Sequence, residues 1–299
     1  MAVSNLNSEC AVIFLVINQI QDLPELAINS VLQNSDSQIF IGTVRDQDRN
    51  SLPTNSRIAF IDLGPEASSL GIQIGDGAYQ SFEKDDFFSL VQLKWVLFEK
   101  VSRLSESEFL IYNDVDVFWL RPLLPDLLGA FRETPSIQMM IQHFTWIPGN
   151  PQLCMGFVVF RKGLFLRDLI KEASGLHAKL LETNPRTGDD DVITELYRIR
   201  NFPAEIQLLP QTTFPVGNLL NLFSKRDEFP GLKPFSPYIF HANFVVGLPK
   251  KLMISRIAFK QNKLDFSSVS INRRLLLVFK LPIYRAYSLL RRLKKSFWP

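Results

Sequence analysis

Apolar and polar positions fall into blocks of strand and helix length along most of the chain. Residues 10–17 form an unbroken apolar run of the kind found in a central parallel strand, and polar residues from Asn18 to Asp22 break it. A helix is expected from about Pro24, with Leu26, Ile28, Val31 and Leu32 on its apolar face and the polar run 34–37 ending it. Residues 38–44 and 57–63 read as second and third strands. Strand, helix, strand in this order predicts a right-handed crossover and an α/β fold with a mainly parallel sheet flanked by helices.

A helix over 81–104 is expected next, because Phe82, Phe87, Phe88, Val91, Trp95, Phe98 and Val101 recur at helical spacing. Lys94 lies among these apolar positions and has two readings, a contact to a donor phosphate or an ordinary solvated helix lysine. The helix feeds a predicted strand over 110–120. There the period of two puts Asp114 and Asp116 on one face and Val115 and Val117 on the other. Further strands are expected over 137–144 and 152–161, the latter with Gly156 inside it, where a glycine often marks close approach to the backbone. A helix over 167–181 follows. Asp189, Asp190 and Asp191 then lead into a helix from Val192, three acids where a cap needs one. Apolar stretches over 206–209 and 238–240 complete the pattern, the last running into His241, Asn243, Gly247, Lys250 and Lys251, a sequence that suits a ligand-binding loop.

Composition adds compartment and charge. In 299 residues, 46% of them hydrophobic, there is material for a full core. Only Cys10 and Cys154 occur, both in apolar runs, which suits free buried thiols and a reducing, cytoplasmic setting. The apolar run after Cys10 is too short to span a bilayer. Formal charge is +3, unevenly spread: eight cations and no acid lie from Phe266 onward, so the remaining 25 cations face 30 acids in the body. The expected division is a main domain over 1–265 and a basic amphipathic helical tail over 266–299, whose leucines interleaved with cations suit an anionic membrane surface. Pro282 would kink that helix, and packing on the domain is the alternative. The acidic body carries no nucleic-acid-binding module.

Two carboxylates at the end of a buried strand repel one another and lose hydration. A hard divalent cation, Mn²⁺ or Mg²⁺, relieves that conflict and completes its shell with substrate phosphates. The competing reading is a strand end at which both acids are solvated.

Six segments taken together resemble the nucleotide-diphospho-sugar transferase family with the GT-A fold, a group that includes the plant cell-wall xylosyl- and arabinosyl-transferases. They are residues 87–97 with Lys94-Trp95, the Asp114-Val115-Asp116 stretch through Pro122, 156–161, 189–195, 209–215, and His241 to Asn243 with Gly247 and the Lys250-Lys251 pair. An Asp-X-Asp alone is a weak signal, and its strength here comes from the downstream segments at matching spacing. The resemblance implies a Rossmann-like GT-A domain that transfers a sugar with retention from a nucleoside-diphosphate sugar, by family habit a UDP-sugar, to a glycan or lipid-linked acceptor. It implies Asp116 and His241 as ligands of Mn²⁺ or Mg²⁺ and Asp114 on the metal or the ribose. Lys250 or Lys251 would meet the diphosphate. Lys94, Gly156, Asn243 and Gly247 join the donor site, and Asp189 or Asp190 lies at the sugar. Two departures stand out: relatives carry glutamine where this chain has Asp190, and a small polar residue where it has Met155 before Gly156.

The rivals are a haloacid-dehalogenase-type phosphatase, which places its Asp-X-Asp near the N-terminus, and an inactive nucleotide-sugar-binding module at a membrane. Here two or three strands precede the acids and Phe118-Trp119 follows them, against the phosphatase. Asp114, Asp116 and His241 are all retained, against decay.

Overall fold

The structure, a computed structural model, describes residues 9–17, 22–50, 52–72, 85–131, 137–141, 152–200, 206–210, 213–215 and 237–243. Asn18, Gly247, Lys250, Lys251 and the basic tail lie outside them. The chain divides into Met1–Asn262 and Lys263–Pro299, and every described residue belongs to the first unit. Among the described residues no helix is long and apolar enough to cross a membrane.

Strands β1 (Cys10–Val16), β2 (Gln38–Thr43) and β3 (Ile58–Asp62) are parallel neighbours, as the opening crossover pattern predicts. Helix α1 (Asp22–Asn34) joins the first two, and the short α2 (Gly64–Ser69) follows the third. Next come α3 (Asp85–Val91) and α4 (Leu93–Leu104), then β4 (Phe109–Asn113), which pairs in parallel with β1 on the side away from β2. The remaining elements are β5 (Val117–Trp119), α5 (Leu124–Phe131), β6 (Ile137–Ile141), β7 (Leu153–Arg161), α6 (Leu164–Thr183), α7 (Asp189–Arg200), β8 (Ile206–Leu208) and β9 (Ile239–His241). Sheet order is β3-β2-β1-β4-β7-β6-β8, with β7 antiparallel to both its neighbours and the other pairs parallel. A separate two-stranded ribbon joins β5 to β9. The fold is thus α/β with a mixed, mainly parallel sheet flanked by helices.

One core face is set by alternation. Ala11 and Ile13 of β1, Leu110 and Tyr112 of β4, and Val158 and Phe160 of β7 pack with Leu93, Leu97, Phe98 and Val101 of α4 and with apolar residues of α6 and α7. Phe98 meets Tyr112 and Phe160 edge-on at centroid distances of 5.1 and 5.2 Å, a geometry that adds about 0.5–1.5 kcal/mol beyond area burial.

Two expected elements are divided. The helix expected over 81–104 breaks at Gln92, where the Gln92 and Trp95 amides bond three residues back, to Ser89 and Gln92, instead of four. The strand expected over 110–120 ends at Asn113. Asp114, Val115 and Asp116 form a turn closed by the Val117 amide on the Asp114 carbonyl at 3.0 Å, and the chain resumes in the second ribbon. The two acids therefore do not alternate on one strand face. They occupy a turn at the carboxyl end of β4, beside the carboxyl end of β1, where the order of parallel strands reverses and α/β sheets bind ligands.

Candidate metal and acid site

Asn113, fully buried, builds the turn. Its side-chain amide donates to the Asp114 and Val117 carbonyls, each at 2.9 Å, and its Oδ1 accepts from Trp119 Nε1 at 2.9 Å. Asparagine bonds locally to the backbone and so favours turns over continued strand. The turn is further tied to β7 by the Asp114 amide on the Gly156 carbonyl at 2.7 Å, and to β9 by the Ala242 amide on the Asp116 carbonyl at 2.9 Å. Helix α1 holds the far end: the Trp119 amide donates to Ser30 Oγ at 2.9 Å.

Register brings in the histidine. In the β5–β9 ribbon Val117 stands opposite His241, which places His241 Nε2 at 3.4 Å from Asp116 Oδ1. Asp114, Asp116 and His241 each present one ligand atom, all within 4.8 Å of one another. Two carboxylates and an imidazole at this spacing are a donor set that fits a divalent cation. Space for the arrangement comes from Gly156. A Cβ there would lie 2.4 Å from His241 Cε1, 2.8 Å from its Nε2 and 3.1 Å from Asp114 Oδ2. The close approach at this glycine includes side chains of the site. Cys154 Sγ lies 3.9 Å from His241 Nδ1 on the other side of the ring. Burial, then the nearby Asp190 charge, pushes the Cys154 thiol well above its usual range, so it stays protonated.

Lys94 is buried, which corrects its reading as a solvated helix lysine. Its ammonium lies 2.6 Å from Asp189 Oδ2, 3.1 Å from Asp114 Oδ1 and 4.6 Å from the centre of the Tyr112 ring. Burial alone would lower its pKa, but the charges of Asp114 and Asp189 outweigh it and hold the ammonium well above its usual value. Tyr112 donates to Asp114 Oδ1 at 2.8 Å; burial, then the charge of Asp114, raises its hydroxyl in turn.

Helix α7 begins at Asp189, a few residues earlier than its apolar pattern suggests, so the three acids form its first turn. Their tasks differ. Asp191 accepts from the Gly188 amide at 2.9 Å and serves as the cap. Asp189 binds Lys94. Asp190 accepts from the Met155 amide at 2.6 Å, on the strand that carries Gly156, and remains half-buried. Desolvation, then repulsion from Asp189, raises the Asp190 carboxyl well above the ordinary range, with the Met155 amide opposing. Asn243, two residues beyond His241, has a buried Oδ1 without a hydrogen-bond partner in the described structure, consistent with an acceptor kept for a ligand.

The structure thus brings Asp114, Asp116, His241, Gly156, Lys94, Asp189 and Asp190 together. Gly247, Lys250 and Lys251 lie outside the described residues. Sequence reasoning missed Asn113, Tyr112 and the buried pair Trp95–His177. Only Asn113 left a signal, as a turn-forming residue directly before the first acid. A cleft of about 1040 Å³ between α4 and α6, lined by Arg103, Lys162, Arg167 and Lys171 among others, includes none of the site's acids.

A family model described as nucleotide-diphospho-sugar transferase matches residues 75–254, more than half of the chain. Among solved structures, galactosyltransferase LgtC in complex with donor and acceptor sugar analogues superposes with a TM-score of 0.56. It is 15% identical, and the match covers 83% of this chain and 95% of that one. Mouse xyloside xylosyltransferase 1 in its apo form gives a TM-score of 0.47 at 12% identity, covering 78% and 97%. No curated protein sequence matches significantly.

Proposed function

We infer the function from a premise that the family match supplies: the chain belongs to the nucleotide-diphospho-sugar transferase family and is a glycosyltransferase. From that premise we propose that it moves a sugar from a nucleoside-diphosphate sugar, a UDP-sugar first among candidates, to a glycan or lipid-linked acceptor, with retention and with dependence on Mn²⁺ or Mg²⁺. The observation that carries the reading is the meeting of Asp114, Asp116 and His241 at the sheet's switch point, with Asp189 and Asp190 alongside.

Asp114, Asp116 and His241 are the residues that would hold the ion. When bound, a divalent cation acts as a Lewis acid on the diphosphate and stabilises it as a leaving group. Asp189 spends its carboxylate on Lys94, so Asp190 is the acid for the sugar. Its β7 amide contact fixes the carboxyl, which would stabilise charge developing at the anomeric carbon. Asn243 supplies an acceptor for a donor hydroxyl or amide. The reading extends to Gly247, Lys250 and Lys251 at the diphosphate. It also places residues 266–299 on an anionic membrane face in the cytoplasm, which liposome co-sedimentation before and after deletion beyond Ser270 tests.

The decisive experiment is release of nucleoside diphosphate across a panel of nucleotide sugars, with and without Mn²⁺ or Mg²⁺. The expected result is release from one donor only with metal, abolished in Asp116→Asn. Activity indifferent to chelator overturns the reading. Donor binding without turnover would mark the inactive module instead.

A further inference from the structure

Two neighbouring residues of α4 reach the start of α7 by separate routes. Lys94 does so directly, through Asp189. Trp95 does so through a histidine: Trp95 Nε1 donates to His177 Nδ1 at 3.0 Å, and His177 Nε2 lies 3.0 Å from the Thr187 carbonyl. His177 sits on α6, fully buried, with Trp95 1% and Thr187 3% exposed.

Hydrogen-bond chemistry fixes the state of this imidazole. An indole N–H only donates, so Nδ1 must accept; a carbonyl only accepts, so Nε2 must carry the proton. His177 is therefore a neutral imidazole of one tautomer, in keeping with the downward push that burial gives its pKa. Each ring nitrogen has one partner, and neither partner has a substitute in the described contacts.

What the ring holds is the lead-in to the acids. The Thr187 amide and hydroxyl both bond to the Asn184 carbonyl, at 3.1 and 2.9 Å, making a tight turn after α6. Gly188 follows, its carbonyl accepting from Val192 and its amide donating to Asp191. Asp189 and Asp190 come next. The Thr187 carbonyl is thus the last point at which α6 grips the chain before the acids, and His177 makes that grip.

We propose that His177, oriented by Trp95, is a positioning residue that sets the start of α7 and with it the placement of Asp190 at the donor sugar. This rests on the transferase reading for its link to turnover, but not for its effect on α7. It touches neither sugar nor metal, so its loss should lower kcat while KM for the donor and affinity for Mn²⁺ stay near the parent's. A displacement of about 1 Å at a catalytic group can cost about 100-fold in rate.

The test uses the full chain with three substitutions, His177→Phe, His177→Gln and Trp95→Phe. Hydrogen exchange over 184–192, Mn²⁺ binding followed by electron paramagnetic resonance, and donor kinetics are read for each. In His177→Phe, exchange over 184–192 should rise about tenfold or more relative to the rest of the chain, with kcat down about 100-fold and Mn²⁺ affinity unchanged. His177→Gln keeps an amide donor for Thr187 and should recover protection and part of kcat. Trp95→Phe removes the orienting donor and should fall between. If His177→Phe does not fold, the other two decide. Unchanged exchange over 184–192, or loss of protection and Mn²⁺ affinity across the whole chain alike, overturns the proposal. If the parent turns over no donor, the transferase reading fails, and the exchange and Mn²⁺ data still decide the role of His177.

Discussion

Replacing Gly156 by alanine tests the site where its geometry is tightest. The added methyl would stand 2.4 Å from His241 Cε1, 2.8 Å from Nε2 and 3.1 Å from Asp114 Oδ2. Carbon contacts settle at about 3.5–4.0 Å, so the imidazole must withdraw by about 1 Å or more. It has little room to do so. The ring is 3% exposed, with Asp116 Oδ1 at 3.4 Å and Cys154 Sγ at 3.9 Å, and its backbone is fixed opposite Val117. Ligand distances in metal sites hold to about 0.2 Å, well under the shift required. Overpacking of this kind costs about 1–3 kcal/mol in stability. Disturbing even a residue that only orients a metal ligand lowers affinity by about 10–100-fold, so a ligand pushed directly should lose at least that. The assay is Mn²⁺ titration by electron paramagnetic resonance on folded Gly156→Ala, with thermal unfolding alongside. A folded variant whose Mn²⁺ affinity lies within twofold of the parent's would refute the assignment of His241 as a ligand seated against Gly156.

Three further outcomes are expected. Lys94→Met leaves Asp189 and Asp114 without their shared cation, with side chains 11% and 29% exposed, and should cost about 3–5 kcal/mol in urea unfolding; Asp189→Asn added to it should return part of that loss, and strict additivity would sink the idea of a shared counter-charge. Asp190→Asn should lose turnover yet gain stability at neutral pH. Because folding raises the Asp190 carboxyl above its ordinary value of 3.8, the stability it contributes is full below about pH 4 and is lost as pH rises, so the variant's advantage should shrink toward acid. Burial pushes Cys10 up to about 12 from 9.0, so its contribution is intact below pH 9 and lost as pH climbs toward 12; iodoacetamide should label it slowly at pH 8.5 until denaturant is added, and rapid native labelling would contradict the buried strand.

Most strands were legible because each is a short apolar run bounded by polar residues, and apart from the one expected over 110–120 their observed ends differ from the expected ones by only a few positions. The reading failed where the apolar pattern continues through a change of direction. Val117, Phe118 and Trp119 are as buried as the strand before them, but in a second ribbon, so periodicity could not reveal the turn at Asp114. The stripe through Phe88, Val91 and Trp95 likewise hides the break at Gln92. Acids and histidine were found by residue type. What lay beyond the sequence was the use made of them: Lys94 reads as a lone cation until Asp189 is seen 95 positions away, and Trp95 as plain core until its N–H meets His177 82 positions on. Such pairings are set by the packing of α4 against α6 and α7, which no local spacing encodes.

The charge arrangement unites these features. Asp114, Asp116, Asp189 and Asp190 converge on a region where Lys94 is the ammonium seen among them, and it is engaged by Asp114 and Asp189. Like charges brought together out of water raise at least one pKa unless a cation intervenes, and the upward push on Asp190 is that effect. Two places for positive charge follow, one among Asp114, Asp116 and His241, whose ligand atoms lie within 4.8 Å of one another, and one at Asp190. A divalent ion at the first and an electron-poor anomeric carbon at the second would fill both, in the order that sugar transfer requires, with the diphosphate drawn to the ion and the sugar left beside the acid. The charge arrangement of the site and the chemistry of the proposed reaction therefore favour positive charge in the same two places.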